Sequence, residues 1–503
     1  MYVIDINTHF GCRSEYHYDL GLPALLRSLD EHAIAGAVTY SLKGVHYDPG
    51  AGNSDTIAAA AAHPHLIPAA TLDMRVYLGW EQELERCLKA GVRVFRFFPL
   101  IQAWEVDSIL FRRVLERLRQ ERVVLIFSTT EAGAHWGHAE EVARITAEYG
   151  LPVILTDTNY FNMAELISVL QAYPHVYAEV SQLALPHAVE TMVAEVGSSR
   201  LLYGSDAPWR PMQKALNEVL EPDLSPEDKQ AILGENALRL LGVRPMALTG
   251  RPELPSDQPR RFEEPSIDVH SHLGYWRYPV PDEGYDPTAM LARMDRYGIQ
   301  YSILSSYESM RFDLAAGNRD VARAIEGHPR LLGYVEVSPH RIEESCQEMD
   351  RYYKLPNFAG AEIELSHTNH PTASEETRRL VHEVAKRGRP VLFKGRGDAY
   401  AERELARANP ELAIIHAHSM DAHWARVVAD TPNIYVEFCT SRPSVHDLRD
   451  CLKILGPERL LFGTDQTLLS VGGQVGLYLD ANLTPEERRL ILCENARRIF
   501  RLP

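Results

Sequence analysis

Along the C-terminal half of the chain, short apolar runs alternate with longer segments in which apolar residues fall three and four apart. The runs read SIDVHSHL, QYSILSS, LLGYVEVS, GAEIELS, PVLFKG, LAIIHAHS, NIYVEFC and RLLFGTD. Their length and their Val, Ile and aromatic content predict strands. Between them lie segments such as TAMLARMDRYG and SEETRRLVHEVAKRG, with helical spacing and a closing Gly. Eight strands separated by helices predict a (β/α)8 barrel, with parallel strands and right-handed crossovers. An open doubly wound sheet shares the alternation, but no GxGxxG fingerprint follows the first strand.

The pattern occurs twice. IDINTHFG (Ile4 to Gly11) recurs as IDVHSHLG (Ile267 to Gly274), and GNSDTIAAAAAHP (Gly52 to Pro64) as GNRDVARAIEGHP (Gly317 to Pro329). RLLYGSDAP (Arg200 to Pro208) recurs as RLLFGTDQT (Arg459 to Thr467), and ILGENALRLLGV as ILCENARRIFRL. Four ordered matches whose offsets drift by a few residues mark a tandem duplication with loop insertions. Between the copies, prolines at 245, 252, 255, 259 and 265 interrupt any regular ladder. The expected architecture is α/β: two tandem (β/α)8 TIM-barrel domains, 1–243 and 265–503, joined by a proline-rich linker over 244–264.

Composition narrows the partners. The 503 residues carry a formal net charge of −17, a sign that disfavours nucleic acid and anionic membranes. No apolar run approaches the roughly 20 residues of a membrane span. The six cysteines are scattered without CxxC, which suits reduced thiols rather than a disulfide framework or zinc ribbon. The N-terminus MYVIDINTHFG lacks the shape of a signal peptide, so a cytoplasmic location is expected.

A barrel gathers its chemistry at the C-terminal ends of its strands. In the second copy those ends carry Asp268, His270 and His272 on the first strand and Glu362 and Glu364 on the fourth. Lys394 ends the fifth, His416 and His418 lie on the sixth, and Asp465 closes the eighth. Residues two apart on a strand share a face, so both first-strand imidazoles aim at one point. Two such histidines with a carboxylate suit a divalent ion, Zn2+ first. Loops after the strands hold Trp276, Arg277, Arg396 and Arg442, an apolar wall and planar cations that together with Lys394 suit a small anionic substrate.

The opening IDVHSHLG, the IIHAHS strand and RLLFGTD followed by ENARRIF resemble the amidohydrolase superfamily. The likeness is to its branch of small metal-dependent barrels that includes aminocarboxymuconate-semialdehyde and resorcylate-type decarboxylases. It implies His270, His272 and Asp465 as metal ligands, Asp465 also as proton acceptor, and His418 as a catalytic group beside the metal. The branch's fifth-strand histidine ligand is absent, with Lys394 in its place. Lys394 then either ligates as a carbamate or stays protonated on a substrate carboxylate, leaving Glu364 or His418 as the remaining ligand.

The first copy keeps less. Asn7-Thr8-His9 stands for HxH, Phe127 aligns with Lys394 and Thr158 with His418, so only His9 and Asp206 remain. It is expected to be a degenerate barrel retained as a structural partner. The alternative is a separate metal-free site on Asp206, Asp157 and His9. Pairing of this branch as homodimers implies an intramolecular pseudo-dimer, with further homo-oligomers open and Arg210 as a cation that could reach the neighbouring mouth. The expected function is a metal-dependent hydrolase (C–N or C–O bond) or non-oxidative decarboxylase with one competent site, in the C-terminal barrel. Its rivals are a metal-independent lactonase-like hydrolase using His418, Lys394 and Asp465, and a non-catalytic barrel pair binding a small acid or partner protein.

Overall fold

A computed structural model describes residues 1–15, 17–129, 137–243, 250–276, 286–395, 397–418 and 420–503. The chain divides into two compact units, Met1–Pro259 and Arg260–Pro503. In the first, parallel strands β1 (Val3–Phe10), β2 (Ile34–Ser41), β3 (Leu66–Thr71), β4 (Val94–Phe97), β5 (Val124–Ser128), β6 (Val153–Thr156), β7 (Val176–Glu179) and β8 (Leu201–Leu202) pair in sequence order. The second repeats this with β9 (Ser266–Leu273), β10 (Ile299–Ser306), β11 (Leu331–Val337), β12 (Phe358–Glu364), β13 (Val391–Lys394), β14 (Ile414–His416), β15 (Ile434–Glu437) and β16 (Leu460–Leu461). Backbone bonds from Ile6 to Tyr203 and from Val269 to Phe462 join last strand to first. The result is two tandem (β/α)8 TIM barrels.

Helices start where the sequence supplies a cap. Asp286, Asp313, Ser374, Asp421 and Ser444 each accept the backbone N–H three residues on, a bond whose loss costs about 1 kcal/mol. Apolar residues alternate between two layers of the second barrel. Ile267, Val269, Ile303, Leu392, Ile415 and Leu461 form an inner cluster with Ala496 and Phe500. Their neighbours Ala361, Ile363, Phe393, Ile414 and Val436 pack in the outer core with helix residues such as Leu380 and Trp424.

The proline-rich segment is shared between the units. Glu253 pairs with the Met1 amino group at 3.0 Å and Arg251 donates to the Ile34 and Ala35 carbonyls. Phe262 joins the core of the second unit and Glu264 pairs with Arg488 at 2.7 Å. All six cysteines are free. Among the described residues no helix is long and apolar enough to cross a membrane.

Candidate active site

The first strand of each barrel contains one extra residue. Asp268 pairs with Ser302 and Ser271 with Leu304, so β9 advances three residues while β10 advances two. β1 does the same between Asp5 and Thr8. This bulge resets the alternation. Ile267 and Val269 face the barrel interior, and without it His270 and His272 would face the helices. With it, the two Nε2 atoms lie 3.0 Å apart inside the mouth, both rings fully buried.

Asp465 Oδ1 stands 2.9 Å from His272 Nε2 and 3.7 Å from His270 Nε2. Burial would push this carboxyl up, but the bond from His272 and the charges of His270, His272 and Lys394 hold it far below the usual carboxylate range. Burial, with the Lys394 charge beside it, drives His270 well below an ordinary histidine, so its ring is neutral. Lys394 Nζ lies 2.8 Å from His272 Nε2, 3.3 Å from Glu362 Oε1 and 3.9 Å from Glu364 Oε2. Burial opposes its charge, yet Glu362, Asp465 and Glu364 outweigh burial and keep it protonated. Its ammonium is therefore already neutralised by carboxylates and 3% exposed, which leaves it a poor anchor for a substrate carboxylate.

The other sequence candidates separate. Glu364 turns to Ser366 and to the His367 N–H, whereas Glu362 gathers with His270 and His272. The sixth strand does not present both histidines. His416 faces outward, its Nδ1 2.8 Å from Glu402 beside Trp424. His418 follows the strand in a left-handed conformation, φ 73°, which turns it inward with its ring 5.0 Å from that of His270. Its Nδ1 lies 2.9 Å from the Cys439 carbonyl. A carbonyl only accepts, so Nδ1 carries a proton and, in the neutral ring, Nε2 is the basic nitrogen. Trp276 is a buried wall, bonded through Nε1 to Thr467, with its ring 4.0 Å from that of Tyr307 and tilted by 33°. Arg442 is exposed, and Arg277 and Arg396 lie outside the described residues.

Strand register corrects two pairings between the copies. Lys394 pairs with Glu364 and Phe393 with His416. In the first barrel Phe127 pairs with Phe97 and Leu155, and Ser128 with Thr156. Ser128 therefore matches Lys394, while Phe127 matches Phe393 in the outer layer. Asp157, not Thr158, matches His418: both are left-handed, and both donate their N–H to the last residue of the seventh strand, Glu179 or Glu437. Arg96 occupies the place of Glu362. It donates to Asn7 Oδ1 at 2.6 Å and to Asp157 at 3.3 Å, beneath the Tyr40 and Phe98 rings. His9 lies 3.3 Å from Asp206, whose other oxygen accepts from Arg210 at 3.1 Å. Arg210 is thus engaged within its own barrel.

Sequence reasoning missed Glu437, which ends β15. Its Oε1 accepts from His270 Nδ1 at 2.8 Å and from the His418 N–H at 2.6 Å, and its Oε2 from the Cys439 N–H at 2.7 Å. The signal was the shared Y-x-E ending of VYAE and IYVE in the two copies.

Among the described residues of the second barrel, two groups have metal-ligand chemistry: His270, His272 and Glu362, and His270, His418, Glu437 and Cys439. Ligands roughly 2.0–2.1 Å from one tetrahedral ion lie about 3.3 Å apart. His270 Nε2, His272 Nε2 and Asp465 Oδ1 stand at 3.0, 2.9 and 3.7 Å. Among the described residues, Asp465 Oδ1 and both Glu362 oxygens are buried with no well-aligned hydrogen-bond donor, although His272 Nε2 stands 2.9 Å from Asp465 Oδ1 and Lys394 Nζ 3.3 Å from Glu362 Oε1. This set fits a divalent ion. The second group, His270, His418, Glu437 and Cys439, is closed by its own hydrogen bonds and is better described as a shell that orients the first.

No curated protein matches the chain. Among solved structures, 2,6-dihydroxybenzoate decarboxylase from Rhizobium is 17% identical, covering 48% of this chain and 99% of its own with a TM-score of 0.38. A putative 2-pyrone-4,6-dicarboxylic acid hydrolase from Pseudomonas putida is 19% identical, covering 47% and 98% with a TM-score of 0.37. The model of the amidohydrolase family matches residues 4–243 and again 267–502, one match per barrel. The chain belongs to the amidohydrolase family, as an amidohydrolase-related enzyme made of two such barrels in tandem.

Proposed function

We propose that the C-terminal barrel is a hydrolase or non-oxidative decarboxylase of a small carboxylate-bearing molecule, working with one divalent ion, zinc first, held by His270, His272 and Asp465 with Glu362 beside them. The observation that carries this reading is the convergence of a neutral His270, His272 and an ionised Asp465 on one buried point. A divalent ion held there supplies Lewis-acid polarisation of a substrate carbonyl or carboxylate oxygen. The remaining steps belong to side chains. In hydrolysis the Asp465 carboxylate accepts the proton of the attacking water, whose oxygen adds to the substrate carbonyl. His418 Nε2, with Nδ1 committed to Cys439, takes or returns a proton at the substrate face. Trp276 and Tyr307 form an aromatic wall, and the exposed Arg442 after the seventh strand is the cation offered to an incoming anion.

The test is the metal content of protein purified without chelator or added metal. About one equivalent, lost in the double variant His270→Ala/His272→Ala and kept in His9→Ala, supports the reading. A panel of small aromatic carboxylates and their esters, followed by CO2 release and by acid release, then separates decarboxylation from hydrolysis.

A second reading has its own observation. The Lys394 ammonium lies 2.8 Å from His272 Nε2, where it competes with a bound cation. A metal-independent hydrolase using His418, Lys394 and Asp465 predicts no metal and retained ester or lactone hydrolysis.

A further inference from the structure

Glu437 is buried among four donors: His270 Nδ1, the N–H groups of His418 and Cys439, and Cys439 Sγ at 3.3 Å. A carboxylate in that place does two things at once. It requires the proton of His270 on Nδ1, which leaves the Nε2 lone pair aimed at the donor cluster. It also ties down the left-handed residue that carries His418 into the mouth; a non-glycine residue at φ 73° is held by its surroundings rather than by its own preference.

The chain makes room for this. A Cβ on Gly463 would lie 2.6 Å from Glu437 Oε2 and 3.0 Å from the His270 Cβ, so the glycine of RLLFGTD lets the carboxylate reach the ring. The first barrel provides an internal control. Gly204 is equally crowded, by Asn7 and Glu179, and Glu179 still accepts the Asp157 N–H at 3.0 Å. Yet with Asn7 in place of the histidine, Glu179 Oε1 has no hydrogen-bond partner among the described residues. The carboxylate keeps its backbone duty in both copies and meets an imidazole only in the copy that has the ligand cluster.

We infer that Glu437 is the positioning residue of the C-terminal site, fixing the tautomer of His270 and the inward turn of His418. This rests on the reading of that barrel as the competent one. Carboxylate–histidine pairs behind a metal typically set its affinity by 10- to 100-fold. In Glu437→Gln an amide N–H2 faces the donors, so the shape is kept and the acceptor is halved.

The experiment measures zinc affinity by chelator competition, and the His270 tautomer by 15N NMR. Glu437→Gln is expected to bind zinc about 10- to 100-fold more weakly and to lose the pure Nδ1–H form. Glu402→Gln, which disturbs the outward His416 pair, is expected to lower thermal stability with zinc affinity unchanged. Wild-type zinc affinity in a folded Glu437→Gln overturns the inference. So does an Nε2–H His270 in the wild type, a measurement that needs no variant to fold. If the wild type binds no zinc, the metal reading of the site fails, and the tautomer alone decides the role of Glu437.

Discussion

The two barrels share a frame and differ in what occupies its centre. In both, a bulge turns the first strand inward, a left-handed residue follows the sixth, a glutamate ends the seventh and a left-handed aspartate follows the eighth. In the second barrel the centre is a ring of donors around His272, with Lys394 at its edge. In the first, Arg96 reaches the centre from β4 and is bound to Asn7 and Asp157. Among the described residues the first barrel has no cluster of metal-ligating groups, and a guanidinium stands there between an amide and a carboxylate. Backbone devices and side-chain chemistry therefore separate: the left-handed frame is common to both barrels, while the side chains at its centre differ.

The strongest way to break this comparison is to change the same aspartate in each barrel. Asp465→Asn removes the carboxylate beside both histidines and is expected to lower kcat by about 10²- to 10⁴-fold. Asp206→Asn, at the matching place beside His9 and Arg210, is expected to leave kcat within about twofold, an order-of-magnitude allowance for a remote change. Steady-state kinetics on a substrate found in the carboxylate panel decide it. Equal losses would mean that the first barrel also carries chemistry.

The next largest effect is on stability. Arg96 is 2% exposed and faces Asp157. Removing one partner of a buried pair typically costs about 3–5 kcal/mol, and the partial exposure of Asp157 places this pair at the lower end. Arg96→Met is expected to lower the urea midpoint of the first unit, followed by a probe within it, with zinc binding in the second unchanged.

The barrels, the duplication and the gathering of His270, His272 and Asp465 were legible because each is carried by local pattern: alternation, repetition and a strand-end motif. The register was not. The pattern aligns Phe127 with Lys394, one residue early, and Thr158 with His418, one residue late, because apolar runs such as VVLIFST show no marker for which residue faces inward. His416 and His418 read as a pair because strand periodicity was assumed to continue past His416, where the left-handed turn breaks it. Arg96 and Glu437 escaped notice for a related reason. Each acts through a partner on another strand, and nothing local announces a cross-barrel contact.

A smaller effect, common to both barrels, sharpens what they share. Burial pushes Asp5 and Asp268 each up to about 7, against hydrogen bonds from Ser205 and Asn7 or from Thr464 and His270. A carboxyl that holds its proton more tightly when folded contributes stability that is fully present below its unfolded value near 4 and is lost as pH rises toward 7. Asp5→Asn removes that proton linkage from the first unit. Its unfolding free energy is expected to lose a slope of up to a few kcal/mol between about pH 4 and pH 7. Chemical denaturation at stepped pH measures this, and an unchanged slope would place the linkage elsewhere.

The smallest effect tests the feature that sets the second barrel apart from a simple metal site. Lys394 carries a positive charge 2.8 Å from His272 Nε2, offset by Glu362 and Glu364. Lys394→Met removes the competing cation and leaves those carboxylates facing the donor cluster. Zinc affinity is then expected to rise about tenfold or more, since like charges at such separations repel even at an effective dielectric near 20. A fall instead would mean that the ammonium holds Glu362 in place as a ligand. Ser128→Lys in the first barrel gives the matching control: a second cation beside Arg96 is expected to destabilise that unit and to recruit no metal.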